Sequence, residues 1–371
     1  MSEAIPDPDK YALKAAALNE ISAPELNYRP PRPQHYSPRI GLIGAGGIAA
    51  SHLDAYRTAG WDITAIANRS VAKAQARADE YFPEARVTDR YEDIVADPSI
   101  EVVDITLHPA DRLPIMEAAL KAGKHVLSQK PFVLDLEVGE RLVDLARQRG
   151  VKLAINQNGR WAPHLAWMRE AVKAGLIGDV TAAHIAIHWD HGWIAGTSFE
   201  NMEDVILFDF GIHWFDFLTS IIGQRAESVF ATASKGKGQI VQVPLLAQAL
   251  LQLKDGQASL VFDGATVAGP RDSTYIAGTK GSLRSEGPDL GQQRVTLTTA
   301  KGWAQPKLEG TWFNDGFQGA MGALLVAIEE DVEPENSAAR NLQSLALAFA
   351  AIESRRSGRT VRVGATTRIA V

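Results

Sequence analysis

The sequence contains no cysteine, so disulfide bonds, thiolate metal sites and a cysteine nucleophile are all excluded. It also lacks an uninterrupted apolar run as long as a membrane span, and it lacks a run of lysine and arginine. A net charge of -6 argues against nucleic acid as a partner, because phosphate binding needs a clustered positive surface. The opening residues, MSEAIPDPDK, are acidic where a signal peptide needs basic residues and then an apolar stretch. We therefore expect a cytoplasmic protein without membrane or nucleic-acid partners.

The chain has 371 residues, of which 46% are apolar and 22% are charged. This composition is ordinary for a globular protein that buries sizeable cores, and the length predicts two domains. Residues 1–38 stand apart, because they hold seven of the 18 prolines. A short helix is predicted over about residues 9–21. We interpret residues 1–38 as an extension that lies over the surface or reaches a partner subunit, with a disordered leader as the alternative.

Residues 39–157 alternate apolar strands with amphipathic helices. The predicted strands are RIGLIGAG, DITAIAN, VVDITL, HVLSQ and VKLAINQ. Such alternation indicates a parallel sheet whose two faces are covered by helices. From residue 158 to residue 371 the strands become longer and have few helices between them, and LLAQALLQLKDGQASLVFDGA is read as one of them. We predict a second, α+β domain there, with a large and mostly antiparallel sheet packed by helices on one face.

A glycine-rich turn follows the first strand and opens the first helix. It contains Gly44, Gly46 and Ala49 at the spacing G-x-G-x-x-A. The first glycine permits a tight turn, the second lets a pyrophosphate approach, and the small third residue allows close packing of helix on strand. The N–H groups at this helix start, at Gly47 and Ile48, would face the phosphates. The turn therefore predicts dinucleotide binding.

The second strand ends in Asn68 and Arg69, where an acidic residue would select NAD. Asn68 could hydrogen-bond a ribose diol, and Arg69 with Ser70 could hold a 2'-phosphate. On the residues alone NADP is slightly favoured. Arg69 could equally stack on adenine, or be a solvated loop charge.

Residues 208–218, FDFGIHWFDFL, are almost entirely apolar but carry Asp209, His213 and Asp216. If the segment is helical, the spacing i, i+4, i+7 places these three on one face. A second polar feature is Gln129-Lys130-Pro131, directly after a predicted strand. Proline keeps the preceding residues extended, which holds Lys130 at the carboxyl end of its strand. Ligands bind at that end of parallel sheets.

At these motifs the sequence resembles the Gfo/Idh/MocA oxidoreductases. That family combines G-x-G-x-x-[GA], E-K-P, N-x-R-[FW]-x-P and D-x-G-x-H-x-x-D. This chain has GAGGIA, QKP, NGRWAP and DFGIHWFD in the same order, and the resemblance runs from about residue 39 to residue 365. It implies a doubly wound Rossmann domain over residues 39–157 and a domain for substrate binding and oligomerisation over residues 158–371. It also implies a homo-oligomer, a dimer or a tetramer, that associates through the second domain's sheet.

The resemblance further implies a cleft in which Asp209 and His213 face Lys130 and the nicotinamide. His213 is then the general base for a substrate hydroxyl, Asp209 orients sugar hydroxyls, and Lys130 completes the proton relay. The alternative is a buried histidine and aspartate that satisfy each other in the core. Asp216 is expected only to cap or pair. No metal is expected.

Further contacts come from the same motifs and from their departures. The implied cofactor contacts beyond the glycine turn and the second strand are Leu107, His108, Gln129, Lys130 and Asn158. Gln129 replaces the family's usual glutamate, which removes a negative charge beside Lys130, and Leu107-His108-Pro109 replaces T-P-N. His108 is either a nucleotide contact or a surface turn residue. Arg160 and Trp161, from NGRWAP, are implied substrate contacts.

The segment HWDHGW adds Trp189 and Trp193 as predicted sugar-stacking residues, with core aromatics as the alternative. Together with QKPF and NQNGRWAPH it also resembles bacterial D-apiose dehydrogenases. That resemblance implies oxidation of an aldose to its lactone and favours NAD, with NADP as the alternative cofactor. The competing functions are an inositol or polyol dehydrogenase, a glycosidase that uses tightly held NAD, and a relative without catalysis.

Overall fold

The computed structural model describes residues 17–370 and contains two sheets. The first sheet has six parallel strands in the order β3-β2-β1-β4-β5-β6. Its strands are β1 Arg39–Ile43, β2 Asp62–Ala67, β3 Arg86–Thr88, β4 Val102–Ile105, β5 His125–Gln129 and β6 Leu153–Asn156. Five helices connect them: α1 Gly47–Ala59, α2 Val71–Tyr81, α3 Tyr91–Val95, α4 Pro109–Lys121 and α5 Leu136–Arg149. The predicted doubly wound parallel sheet is confirmed.

Strand β3 was not predicted from the sequence. It is an edge strand of three residues, none of them fully buried, so it lacks the apolar run that marks the other strands. The strands at the sheet centre are buried on both faces, as parallel strands covered by helices require.

The second domain begins with a 3-10 turn and a helix, and its sheet then follows. Its helical elements are the 3-10 turn Asn158–Trp161, α6 Pro163–Lys173, the 3-10 turns Gly192–Ile194 and Ser198–Asn201, the π-helical turn Ile206–Phe210, α7 Ile212–Ile222, α8 Trp312–Glu329 and α9 Ala338–Ser357. Its strands are β7 Val180–His188, β8 Ala226–Ser234, β9 Leu246–Leu253, β10 Gly256–Asp263, β11 Arg271–Gly278, β12 Gly281–Gly287, β13 Arg294–Thr299, β14 Gly302–Ala304 and β15 Val361–Arg362.

These nine strands form one sheet in the order β14-β13-β12-β11-β7-β10-β9-β8-β15. Only β7 and β10 pair in parallel, so the predicted mostly antiparallel sheet is confirmed. The single strand predicted over LLAQALLQLKDGQASLVFDGA is wrong. Lys254 and Asp255 make the two-residue turn of a hairpin between β9 and β10, because Gly256 already pairs with Leu253.

Helix α8 belongs to the second half of the chain but packs on the first domain. Its apolar side chains Phe317, Met321 and Leu324 share a core with β1 and α1. Helix α9 contacts α5 of the first domain and α7 and β8 of the second. The two halves of the chain are therefore packed together through both late helices.

Residues 17–38 run as an extended strap over the surface of their own chain. Near its start, the N–H of Ile21 donates to the carbonyl of Trp303 at 2.8 Å. Near its end, the backbone N–H groups of Gln34, His35 and Tyr36 all donate to the carboxylate of Glu329, the last residue of α8. The predicted helix over residues 9–21 is wrong for residues 17–21, which are extended, and its remainder lies outside the described residues.

None of the helices in the described part of the chain combines the length and apolar character that a membrane crossing requires.

Candidate active site

The carboxyl ends of the parallel strands bring the predicted cofactor residues to one edge of the first sheet. Gly44 follows β1, Leu107 follows β4, Lys130 follows β5 and Asn158 follows β6. Strand order reverses between β1 and β4, which is where such sheets form a ligand crevice.

The glycine turn has the shape that a pyrophosphate needs. Gly44 adopts φ 108°, and a Cβ there would lie 2.6 Å from Oγ1 of Thr106, so only glycine fits. A Cβ on Gly46 or Gly47 would meet nothing within 4 Å, which leaves an open concavity at the start of α1. No side chain caps this helix, so the first N–H groups, including that of Ile48, are available to a phosphate. The residues therefore fit a dinucleotide.

Asn68 braces this turn instead of pointing freely outward. Its Oδ1 accepts the N–H of Ala45 at 3.1 Å, and its Nδ2 donates to the carbonyl of Ser70 at 3.0 Å. The Arg69 side chain is 90% exposed, and its closest carboxylate in the described chain is that of Asp111 at 4.0 Å. Of these two residues, Arg69 has the freedom to move toward a bound cofactor.

A buried arginine on α4, which the sequence pattern does not mark, binds the backbone of the loop after β4. Arg112 is fully buried and donates to the carbonyl of Leu107 at 2.9 Å. Burial lowers the pKa of its guanidinium, and the nearby carboxylate of Asp209 opposes that shift. His108 precedes α4, and its ring lies 5.6 Å from that of Phe199 in the second domain.

Lys130 and Asp209 meet across the boundary between the two domains. The Nζ of Lys130 donates to the Oδ2 of Asp209 at 3.0 Å and to its backbone carbonyl at 2.9 Å. Both side chains keep some exposure, 16% and 21% respectively. A lysine ammonium has three donors, so one N–H remains for a ligand.

The local backbone explains why Asp209 can reach the lysine. Ile206–Phe210 is a π-helical turn, in which the N–H of Gly211 donates to the carbonyl of Ile206 at 2.7 Å. A Cβ on Gly211 would lie 2.7 Å from that same carbonyl oxygen, so glycine is required. Such turns are rare and occur often at functional sites. The continuous helix expected over residues 208–218 is therefore broken at Gly211, and α7 begins after it.

His213 lies in the first turn of α7, half-buried, with its ring centroid 5.6 Å from that of Trp312. Burial lowers the pKa of His213 well below its usual value, and the charge of Lys130 lowers it further. No described residue provides a hydrogen-bond partner for its buried Nδ1. The imidazole is thus neutral at pH 7, close enough to Lys130 to feel its charge, and able to accept a proton.

Polar atoms without partners cluster where β6 ends. Within residues 17–370, no hydrogen bond reaches the Oδ1 of Asn158 or either polar side-chain atom of Gln157, although all are buried. Asn156 pairs with Gln129 in the parallel register of β6 and β5, so these amides lie beside Lys130. These amides lie at the sheet edge where a nicotinamide is expected, and amide groups are suitable partners for its carboxamide.

His191 is a neighbour of the site that the sequence reasoning missed. It is 6% exposed, and burial lowers its pKa to about 4. The carboxylates of Asp209 and Asp190 oppose this shift, whereas the charge of Lys130 adds to it. Its ring lies 4.4 Å from that of Phe210. In the sequence, the position of His191 between the two tryptophans of HWDHGW is the one local feature that could have indicated a residue of the site.

The two tryptophans of that segment differ. The ring of Trp189 packs 5.2 Å from Phe210 and 5.9 Å from Trp214, and its Nε1 is buried with no partner among the described residues. Trp193 is 60% exposed and lies 6.0 Å from Phe199, which itself contacts His108. Trp193 therefore has a free face, whereas Trp189 belongs mainly to an aromatic cluster.

Two predicted substrate contacts are buried and engaged with other residues, and their contact with a substrate stays a prediction. The guanidinium of Arg160 is buried and binds the carboxylate of Asp216 through Nε at 2.6 Å and Nη2 at 3.0 Å. Its Nη1 donates to the carbonyl of Glu335 at 2.8 Å. Trp161 is 2% exposed and packs on α8, where a Cβ on Gly319 would lie 2.1 Å from its ring. Asp216 thus pairs within the core and does not join Asp209.

A cavity of about 600 Å³ lies elsewhere, between the loops around Arg271 and Arg294 at the edge of the large sheet. None of the predicted site residues lines it. Its walls carry an Arg271–Glu286 ion pair at 3.8 Å but neither a lysine nor a histidine that could serve as an acid–base group, so the interdomain cleft remains the candidate active site.

Two family models match the chain in succession. The first, described as an oxidoreductase family with an NAD-binding Rossmann fold, covers residues 38–157. The second, described as the GFO/IDH/MocA C-terminal domain, covers residues 165–284. The first domain is therefore an NAD-binding Rossmann domain.

Similar proteins span nearly the whole chain. An inositol 2-dehydrogenase from Rhizobium meliloti (strain 1021) is 27% identical over 328 residues, or 85% of this chain and 96% of that protein. A D-apiose dehydrogenase from Rhizobium rhizogenes (strain K84) is 27% identical over 345 residues, or 87% of this chain and 97% of that protein. The crystal structure of an Agrobacterium radiobacter oxidoreductase, in complex with NAD+, L-tartaric acid and magnesium, has a TM-score of 0.80 at 23% identity, covering 89% of this chain and 99% of that one. That structural likeness establishes the shared fold.

Proposed function

This chain belongs to the Gfo/Idh/MocA oxidoreductases, and on that premise we propose that it oxidises a secondary or hemiacetal hydroxyl of a sugar or polyol with NAD. One observation carries the proposal. Lys130 and Asp209 meet across the domain boundary, beside the neutral imidazole of His213, at the sheet edge where the cofactor domain binds its ligand.

Bound NAD would supply the hydride acceptor for this oxidation. The residues that would hold it are the glycine turn with Gly46 and Gly47 at the pyrophosphate, Arg69 on the adenosine side, and Asn158 near the nicotinamide. His108 and Gln129 would line the same crevice from the ends of β4 and β5. We propose NAD as the cofactor and keep NADP as the alternative, because Arg69 could also bind a 2'-phosphate.

The proton of the substrate hydroxyl would go to His213. A base must be unprotonated before it can accept, and burial beside Lys130 keeps the pKa of this imidazole low. The remaining N–H of Lys130 would bind the same hydroxyl oxygen and stabilise the charge that develops on it. Asp209 would hold the ammonium of Lys130 in place and accept a hydrogen bond from a neighbouring sugar hydroxyl.

For the substrate we propose an aldose, a D-apiose-like pentose, oxidised to its lactone. The exposed face of Trp193 and the half-buried Trp189 support a sugar ring, because aromatic faces stack on sugars while polar neighbours bind hydroxyls. An inositol or polyol is the second candidate, favoured by the similarity to inositol 2-dehydrogenase over 85% of the chain.

A screen of aldoses and inositols with NAD and NADP, followed by the absorbance of the reduced nicotinamide, tests this function. We expect one pentose class to reduce NAD stoichiometrically with substrate. A glycosidase that uses NAD only transiently would release sugar without accumulating NADH, and absence of both signals would contradict an active enzyme. The Lys130→Met variant serves as the inactive control.

The homo-oligomer stays a prediction. The outer face of the large sheet exposes Phe230 on β8, Leu250 on β9 and Tyr275 on β11, and this is the surface that a second copy would cover. Light scattering of the wild type and of a Leu250→Glu variant tests it.

A further inference from the structure

A fully buried polar cluster lies directly beneath Lys130, and the mechanism above does not use it. His52, on α1, and Asp104, on β4, are both 0% exposed, and so is Asn156 at the end of β6. Gln129, at the end of β5, joins this cluster to the lysine. Burial of so many polar groups is costly unless each finds a partner, so their arrangement is informative.

The hydrogen bonds leave one arrangement of protons. The backbone N–H of Lys130 is a donor, and it lies 2.7 Å from the Oε1 of Gln129, so this end of the amide must accept. The other end, Nε2, is therefore the donor that faces Nε2 of His52 at 3.1 Å, and Nδ2 of Asn156 reaches the same ring atom at 3.0 Å. Since Nε2 accepts, the ring proton sits on Nδ1, which donates to the Oδ2 of Asp104 at 2.7 Å.

The surroundings of His52 support a neutral ring. Tyr56, on the same helix, donates to the Oδ2 of Asp104 at 2.6 Å, and burial followed by Asp104 raises the pKa of its phenol well above 10. From helix α8, the ring of Phe317 packs 4.6 Å from the imidazole. Among the described residues, the titratable groups within hydrogen-bond distance of the imidazole are Asp104 and Tyr56.

We propose that His52, oriented by Asp104, is a positioning residue for Lys130 and acts through the two ends of the Gln129 amide. The ring fixes the amide, the amide fixes the peptide of Lys130, and the ammonium then meets Asp209 at 3.0 Å. The amide is required, because a carboxylate in its place could not donate to Nε2 and would force a second proton onto the ring. The positioning role in turnover rests on the proposed function, whereas the arrangement of protons on His52 and Gln129 does not.

The proton arrangement is tested by nitrogen NMR of the full chain labelled with 15N-histidine, with His52 assigned from its absence in His52→Gln. At about pH 8 we expect the nitrogen shifts of a neutral ring that carries its proton on Nδ1. In Gln129→Glu we expect both ring nitrogens to be protonated at neutral pH. A wild-type ring that carries its proton on Nε2, or is doubly protonated at pH 7, would overturn the proposal.

The positioning role is tested by the split between turnover and binding. In His52→Gln we expect kcat for sugar oxidation to fall by about tenfold, while the KM for sugar and the affinity for NADH change by less than about twofold. Tyr56→Phe, which removes one hydroxyl, should give a smaller loss in the same parameter. The control is His125→Gln at the opposite end of β5, where the imidazole Nδ1 only accepts the N–H of Lys152, and its kcat should be unchanged.

The Gln129→Glu variant provides the second readout. The coupled ionisation of its new carboxylate and the His52 ring should appear in the pH dependence of kcat, and it should disappear when His52→Gln is added. Folded His52→Gln and Tyr56→Phe proteins with wild-type kcat would contradict positioning. If no sugar reduces NAD in the wild type, the proposed function fails, and the NMR result still decides the proton arrangement.

Discussion

The Nζ of Lys130 lies 3.0 Å from the Oδ2 of Asp209, although the two residues come from different domains and are 79 positions apart. Neither side chain has another charged partner at this distance within the described residues. Their contact therefore defines the floor of the interdomain cleft and joins the domains at the point where chemistry is proposed.

Replacing Lys130 with Met should lower kcat by at least ~10²-fold, the usual scale for a positioned acid–base group, and leave NADH affinity nearly unchanged. Steady-state kinetics and NADH fluorescence measure the two effects. Lys124→Met is the matched control, because that buried ammonium only donates to the carbonyls of Asp97 and Ile100. It should melt earlier but keep its kcat, and full activity of Lys130→Met would remove QKP from the active site.

Asp209 and Asp216 offer a comparison of two carboxylates on one segment. Asp216→Asn removes the carboxylate that is bonded to buried Arg160, so we expect a loss of about 3–5 kcal/mol in the free energy of unfolding with kcat retained. Asp209→Asn lies in the cleft and should raise the KM for sugar and lower kcat, with little change in melting. Calorimetry and kinetics on both variants check this, and the reverse pattern would exchange their roles.

Acid should destabilise the protein through buried histidines. Burial lowers the pKa of His164 from 6.5 to about 3, so the unfolded chain binds a proton at this position well before the folded chain does. Stability from this group is present above pH 6.5 and is lost as the pH falls toward 3, by about 2 kcal/mol between pH 7 and pH 5. Urea unfolding at pH 7 and pH 5 measures the loss in the free energy of unfolding between the two pH values. That loss should be smaller in His164→Gln than in the wild type, by the contribution of His164. An unchanged loss would mean that the ring is already charged when folded.

Cofactor choice should respond to the end of β2. Asn68→Asp keeps an acceptor for the N–H of Ala45 but adds a negative charge where a 2'-phosphate would lie, so kcat/KM with NADP should fall by about tenfold or more. The activity with NAD should change much less. Arg69→Ala separates the two roles of the arginine, since loss confined to NADP indicates phosphate binding and equal loss indicates stacking. A gain of NADP activity in Asn68→Asp would place the ribose elsewhere.

The sequence predicted the parts of the site that depend on local spacing. The glycine turn, the lysine after β5 and the Asp209–His213 segment are each written in a few consecutive residues. Strands β1 and β5 carry the first two to one sheet edge, and the third reaches Lys130 from the second domain. The surroundings of Arg160 and Trp161 were beyond prediction, because a motif gives residue types and not directions. Their partners, Asp216 and Gly319, lie far along the chain, so only the fold reveals that both face the core.

His52, Arg112 and His191 were missed for a related reason. Each sits in a segment whose pattern is explained by a helix or a loop alone, and nothing local marks its neighbour. The π-helical turn at Ile206–Phe210 was also beyond prediction, because its apolar residues suit an ordinary helix equally well and only the contact of Gly211 with a carbonyl selects the wider turn.

The position of α8 has a consequence for how the chain is made. Its residues Phe317, Met321 and Leu324 complete the core against α1 and β1, yet they leave the ribosome long after those elements. Until then, the face of the nascent first domain that α8 will cover stays apolar and open, a condition that favours chaperone binding or misassociation. The strap is bound to Glu329 by three contacts, from Gln34, His35 and Tyr36, that span 293 to 295 positions of the chain. It can therefore close only after α8 has emerged. A fragment that ends at residue 157 would lack this cover permanently, and synthesis of the first domain therefore finishes before its folding can.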